Sequence, residues 1–286
     1  MNLRIRKFIL ISFSVLTLPC FAKKQTRPMK YNNISEKATI LYENANAEIA
    51  SSKYILADSH LEEAFVQAVS VDNKELLCKI SLSKAILCYY TGTDYSNDLN
   101  EARHFAETSG QKNFLLSLCT LYEADIKGAD ADFEKVNATE KNVSKNPYYL
   151  ALLYRIKGNC YAQKMNYNSA ILFYTKAAEL HTKECYLAEI GLDWYQAARM
   201  YSLNGDKANA LKALDSALKY DRDAENTTAI GSDYFAKALV LTKGNYIEAE
   251  KAQAKENAQW AKEIFTAGGY TNMAERCVQL LKTIDK

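Results

Sequence analysis

Residues 151–184 read ALLYRIKGNCYAQKMNYNSAILFYTKAAELHTKE, and their periodicity decides the fold. Tyr154, Gly158 and Tyr161 fall at i, i+4 and i+7, which is one stripe of an α-helix. Asn166 and Tyr167 then open a second helix, on which Ala170, Tyr174 and Ala177 repeat the same spacing. Small residues alternate with large ones along these stripes, so the two helices can approach closely while rings fill the gaps between them. The spacing serves packing rather than catalysis. Forty residues later the pattern returns as Trp194, Ala198, Tyr201, Gly205-Asp206, Ala210, Leu214 and Ala217. Thirty-nine further it comes back more faintly, as Ala236, Val240, Gly244-Asn245-Tyr246 and Ala249.

This unit resembles the tetratricopeptide repeat, a helix-turn-helix of 34 residues whose signature runs Trp, Leu-Gly, Tyr, then Ala, Phe or Tyr, and Ala. Lys157 stands where that family prefers Leu, Met165 replaces the turn glycine, and no proline closes either of the two best repeats. Spacings of 39 and 40 exceed 34, which predicts lengthened turns around 181–185 and 221–228. The resemblance implies an all-α, tetratricopeptide-like α-solenoid: a right-handed superhelix of helix pairs whose concave surface is lined by first helices and takes extended peptides.

The first half carries the same logic in eroded form. A helix from about Ile34 to Ala50 is followed by Tyr54, Ala57, Leu61 and Ala64 at helical spacing. An apolar helix over 74–91 stops at Thr91-Gly92-Thr93-Asp94, and Leu99, Ala102 and Ala106 continue on its partner. A third pair is predicted over 112–127 and 130–140, turning at Gly128. Asn146-Pro147 opens the best repeat, with proline in the first turn where its missing donor is harmless. The polar stretch 136–146 reads as a surface loop, and the run from Tyr246 to about Thr266, free of Gly and Pro, as a long helix that caps the stack, the alternative being a dimer surface. A last helix covers 272–285. The chain thus divides into a leader at 1–22, eroded helix pairs at 23–145 and clearer repeats at 146–286, the last ending in the long helix and a C-terminal capping helix.

Composition agrees with a helical chain, since 10 Gly and 3 Pro are too few for a loop-rich all-β fold. Arg4, Arg6 and Lys7 precede an apolar run from Phe8 to Leu18 that ends in Pro19, Cys20, Phe21 and Ala22, the three zones of a secretory signal. The run is too short for a membrane span, which takes about 20 residues. Cleavage after Ala22 therefore predicts a periplasmic or secreted protein of a bacterial envelope, the alternative being a lipid anchor at Cys20. Membrane association is expected only through that anchor or a partner. Removing the three leader cations leaves a nearly neutral chain, which excludes nucleic acid as a partner because counterion release needs concentrated positive charge. The six remaining cysteines show no Cys-x-x-Cys and sit mostly in apolar runs, which favours buried thiols.

No catalytic constellation emerges. His60, His104 and His181 are scattered, no Gly-rich phosphate loop or Gly-x-Ser-x-Gly elbow occurs, and Glu62-Glu63 fits a solvated helix face. Neither an enzyme nor a cofactor or metal site is predicted. By the resemblance, the concave face places Leu152, Arg155, Asn159 and Gln163 on one first helix, Leu192, Tyr195 and Arg199 on the next, then Tyr234 and Leu241. Arg155 and Asn159 are similar to the start of the clamp that such repeats close on a peptide carboxylate. Gln196, Gly231 and Phe235 break the remainder of that pattern. Arg155, Asn159 and Arg199 are expected to hydrogen-bond an acidic or peptidic ligand, Tyr195 supplying a flat contact. One member of each pair Tyr89-Tyr90 and Tyr148-Tyr149 can add to a binding surface. The reading is a non-catalytic scaffold that binds a partner protein or peptide. Its rivals are a ligand-binding accessory of a periplasmic transport system and, more remotely, a helical hydrolase.

Overall fold

A computed structural model describes residues 33–285, so the predicted leader at 1–22 and Cys20 lie outside the described residues. Among the described residues there are fourteen α-helices and no strand. They run α1 (Ile34–Ala50), α2 (Tyr54–Ser70), α3 (Lys74–Thr91), α4 (Ser96–Glu107), α5 (Lys112–Lys127), α6 (Phe133–Ala138), α7 (Glu140–Val143), α8 (Pro147–Gln163), α9 (Tyr167–Glu184), α10 (Leu187–Leu203), α11 (Lys207–Asp223), α12 (Thr227–Leu241), α13 (Glu248–Ala267) and α14 (Thr271–Ile284). Chain neighbours pair as α1 with α2, α3 with α4, α8 with α9, α10 with α11 and α12 with α13, and Asn33–Lys286 form one compact unit.

One local device sets at least six of the fourteen described helix starts. Asn33, Asn73, Asn146, Asn166, Asp206 and Asn226 each accept a hydrogen bond from the backbone N–H three residues on, satisfying one orphan donor of the first turn. In four of these the preceding residue is left-handed: Asp72 (φ 52°), Met165 (φ 56°), Gly205 (φ 83°) and Glu225 (φ 54°). The pair ends one helix and begins the next in minimal length. Glycine adopts this conformation without strain, whereas a side chain costs roughly 1–2 kcal/mol there. Met165 is 73% exposed and contributes no packing to offset that cost. Met165→Gly should therefore stabilise the protein by about 1 kcal/mol, after allowing for the freer unfolded chain, and raise the melting temperature by ~2–4 °C. A lower melting temperature in differential scanning calorimetry would refute the strain account.

Close approach within pairs depends on small residues, as the stripes require. A Cβ on Gly158 would lie 2.7 Å from the Tyr174 ring, so the glycine admits that ring between α8 and α9. Tyr174 is 1% exposed, and its hydroxyl donates to Asn159 Oδ1 at 2.7 Å. Lys157 is also buried: its Nζ pairs with Glu140 Oε2 at 2.7 Å and lies 5.7 Å from the centroid of the Phe173 ring. The departure from leucine at 157 thus has a partner on α7.

That contact corrects the expected surface loop at 136–146. The segment forms α6 and α7, with Val136, Thr139 and Val143 buried against the neighbouring helices, because its two valines point inward. The long helix also departs from expectation. Rather than capping the stack, α13 is the second helix of the last pair, its stripe Ala254, Ala258, Ala261 and Phe265 packed on α12, while α14 covers it through Cys277 and Ile284. Trp260 is half exposed. Cys78, Cys119, Cys160 and Cys277 are buried, Cys88 donates to Asp98, and Cys185 lies exposed at a left-handed turn. No described helix is long and apolar enough to cross a membrane.

The spiral completes a turn and meets itself. Asn226, while capping α12, also donates from Nδ2 to the carbonyl of Ala50 at 2.9 Å, joining the end of α1 to the start of α12 across 176 residues.

Candidate binding cavity

The contact between α1 and the start of α12 turns the concave face into a partly open cavity. Inward residues of α1, α3, α5, α8, α10 and α12, the first helices of the successive pairs, surround a cavity of about 320 Å³. That is the small end of ordinary ligand pockets, roughly 300–1,000 Å³. Tyr54, Tyr90, Tyr122, Tyr148 and Tyr195 supply aromatic wall, so each tyrosine pair at 89–90 and 148–149 does contribute one ring. Asp125, Arg155, Glu189, Asp221 and Asp233 supply charge.

Arg155 is the hub of the first charged cluster. Its Nε meets Asp193 Oδ1 at 2.5 Å, its Nη2 meets Glu189 Oε2 at 2.5 Å, and the same nitrogen donates to the Glu189 carbonyl at 3.3 Å. Asp193, fully buried, also accepts from His181 Nδ1 at 2.7 Å, and the Tyr148 ring packs edge-on against that imidazole. Burial opposes the charge on Arg155, but Asp193 and Glu189 hold its guanidinium well above the ordinary range. Burial alone would raise Glu189, yet Arg155 and His181 bring it below its usual value. Burial pushes Asp125 up to about 6, with Arg155 opposing the rise.

A second cluster lies where α10, α11 and α12 meet. Asp221 and Asp233 face each other, 1% and 0% exposed. Burial pushes Asp221 up to about 7, while burial together with the adjacent Asp221 pushes Asp233 up to about 9. Asp221 is fitted into the space left by Gly191, where an added Cβ would overlap the Asp221 carboxyl.

The residues expected to form one binding stripe are dispersed by this arrangement. Arg155 and Tyr195 reach the cavity wall, but the guanidinium of Arg155 is committed to Asp193 and Glu189 within the fold, a correction to its expected role as a donor open to an acidic ligand. Asn159 is half-buried on the Tyr174 hydroxyl and Gln163 is exposed at the end of α8. Arg199 is exposed, donating to Gln196 Oε1 at 2.8 Å. Tyr234 is half-buried, stacks under Arg222 and accepts from its Nη2. None of these four lines the cavity.

No protein-family model matches the chain, and no curated protein matches it significantly. Among solved structures, a Rap protein complexed with competence and sporulation factor is similar over 87% of this chain and 75% of that one, at 16% identity and a TM-score of 0.56. Aspartyl phosphate phosphatase F from Bacillus subtilis is similar over 89% and 72%, at 13% identity and a TM-score of 0.51. A signal-transduction ATPase with numerous domains and a tetratricopeptide repeat sensor, from Pyrococcus horikoshii, is similar over 87% of this chain and 39% of that one, at 14% identity and a TM-score of 0.51. The fold is a tetratricopeptide-like solenoid. At these identities the likeness establishes the fold alone.

Within the solenoid, the site residues that periodicity missed are inward-facing acids: Asp193, Asp221 and Asp233, which are buried, and Asp125, which is half-buried. A signal for two of them was present. Gly191-Leu192-Asp193 and Gly231-Ser232-Asp233 are the same Gly-x-Asp pattern forty residues apart, and in both the aspartate is fully buried.

Proposed function

We propose that this solenoid is a non-catalytic interaction scaffold of a bacterial cell envelope, which takes a short peptide or the end of a partner protein into its axial cavity. The observation that carries the reading is the convergence of first helices from both halves of the chain on one cavity. The complex of the similar Rap protein with competence and sporulation factor supports it. The envelope location rests on the leader zones at 1–22, and mass spectrometry of the processed chain tests it: an N-terminus at Lys23 is expected, and a lipid adduct on Cys20 would mean an anchored form instead. A second reading, an accessory that encloses a whole small solute for transport, is favoured by the modest volume of the cavity.

The cavity is tested by a photo-crosslinking residue placed at Leu192, on its wall, or at Lys219, exposed on α11. Adducts in envelope extracts are expected from position 192 and not from 219; equal labelling at both would sink the reading. Arg199, exposed one turn beyond Tyr195, is the expected rim contact. Arg199→Glu should weaken capture roughly tenfold without changing the melting temperature. Undiminished capture would remove Arg199 from the interface.

A further inference from the structure

The two charged clusters are copies of one arrangement. Asp193, His181 and Arg155 of the first correspond, forty residues on in each case, to Asp233, Asp221 and Tyr195 of the second. In the first copy the buried aspartate is satisfied twice, by the imidazole at 2.7 Å and by the guanidinium at 2.5 Å. The second copy has a carboxyl where the imidazole stood and a phenol where the guanidinium stood. No donor from the rest of the fold reaches either oxygen of Asp233 or Asp221 Oδ1, and Thr228 Oγ1 is likewise unpartnered among the described residues, so the two carboxyls have only each other. All three residues line the cavity. The two cations whose charge reaches Asp233 have their own partners, Lys237 with Asp215 at 2.6 Å and Arg222 with Tyr234.

A proton shared between the two carboxyls neutralises one of them and leaves the other negative. A charge so buried is costly unless a counter-charge reaches it. Gly191 holds Asp221 in place on one side, and Tyr195, whose hydroxyl feels the Asp233 charge, stands at the position that Arg155 occupies in the first copy. The first copy therefore shows what completes the arrangement.

We infer that the ligand of the axial cavity carries an ammonium or guanidinium group, which sits on Asp221 and Asp233 with Thr228 as a further acceptor and the Tyr195 ring alongside. The inference rests on the cavity reading above and narrows it. The cation can belong to a basic side chain or amino terminus of a peptide, or to a free small amine; the cluster recognises what these share.

Calorimetry on the full chain tests this with N-acetyl-arginine amide, the peptide Gly-Arg-Gly, agmatine and the uncharged N-acetyl-norleucine amide. At least one cationic probe should bind and the norleucine analogue should not; binding of Gly-Arg-Gly without agmatine identifies a peptide source, and the reverse a free amine. Tyr195→Arg supplies the cation from within, and Asp233→Asn takes away one of the two carboxyls on which the cation would sit without changing shape. Each should weaken cationic binding about 10- to 100-fold, with helical circular dichroism retained. Should Tyr195→Arg fail to fold, Asp233→Asn decides. Equal binding of charged and uncharged probes, undiminished in both variants, overturns the inference and leaves the cavity reading standing. Silence from every probe overturns it as well, and crosslinking at position 192 then judges the cavity separately.

Discussion

Arg155→Met should lower the melting temperature by roughly 10 °C. The substitution keeps most of the side-chain volume and removes the cation that Asp193 and Glu189 share. Asp193 is fully buried and would keep only the His181 contact. Breaking a buried pair from one side costs about 3–5 kcal/mol because the abandoned charge stays in the interior, and a protein of this size loses ~2–4 °C per kcal/mol. The sign with pH adds a second readout. Arg155 holds Glu189 below its ordinary value, so that part of the wild-type stability is present above about pH 4.5 and is lost as pH falls. In the variant, Glu189 can relieve its isolation by protonating. The gap between wild type and Arg155→Met should therefore be widest near pH 8 and narrow toward pH 5. A variant that melts within a degree or two of wild type at pH 8 would show that the cluster contributes little.

The second large effect runs in the opposite direction with pH. Asp125, Asp221 and Asp233 are all raised in the folded protein, to about 6, 7 and 9, above an ordinary value of 3.8. The folded state keeps protons that the unfolded chain has already released, so this stability is complete below pH 4 and is lost as pH rises through 6 to 9. One extra bound proton makes the slope about 1.4 kcal/mol per pH unit. Between pH 7 and 9 the wild type should lose on the order of 2 kcal/mol, or ~4–8 °C, to Asp233 alone. Asp233→Asn, neutral at every pH, should flatten that slope and melt above wild type at pH 9. The comparison between the two proteins is the readout, because Cys78, raised by its hydrogen bond to Cys119 and by burial, pushes the same way at alkaline pH. Parallel profiles for the two proteins would refute a proton held at Asp233.

Periodicity made the scaffold legible because packing leaves a repeated mark. The stripe Tyr154, Gly158, Tyr161 and its echo at Trp194, Ala198, Tyr201 name helices that exist, and Asn146, Asn166 and Asp206 stand where caps are needed. The segment 136–146 misled because its polar residues outnumber the two valines that anchor it. The charged clusters were harder to find. Arg155 was legible as an inner-face residue, but its partners come from α10, thirty-four and thirty-eight residues away, and no local pattern announces that a cation already has its counter-ions. Asp221 and Asp233 were hidden for a related reason: acids in a helix usually face water, and only the forty-residue recurrence of Gly-x-Asp, at Asp193 and Asp233, marks the second of them, while nothing local marks Asp221.

The bond from Asn226 to Ala50 has a consequence for how such a chain can change over evolutionary time. Open helical arrays gain or lose units by duplication and deletion at little cost, since each unit touches only its neighbours. Here an inserted or excised unit of forty residues would carry the two junction residues out of reach, so the number of units is locked and innovation must proceed by substitution inside the existing ones.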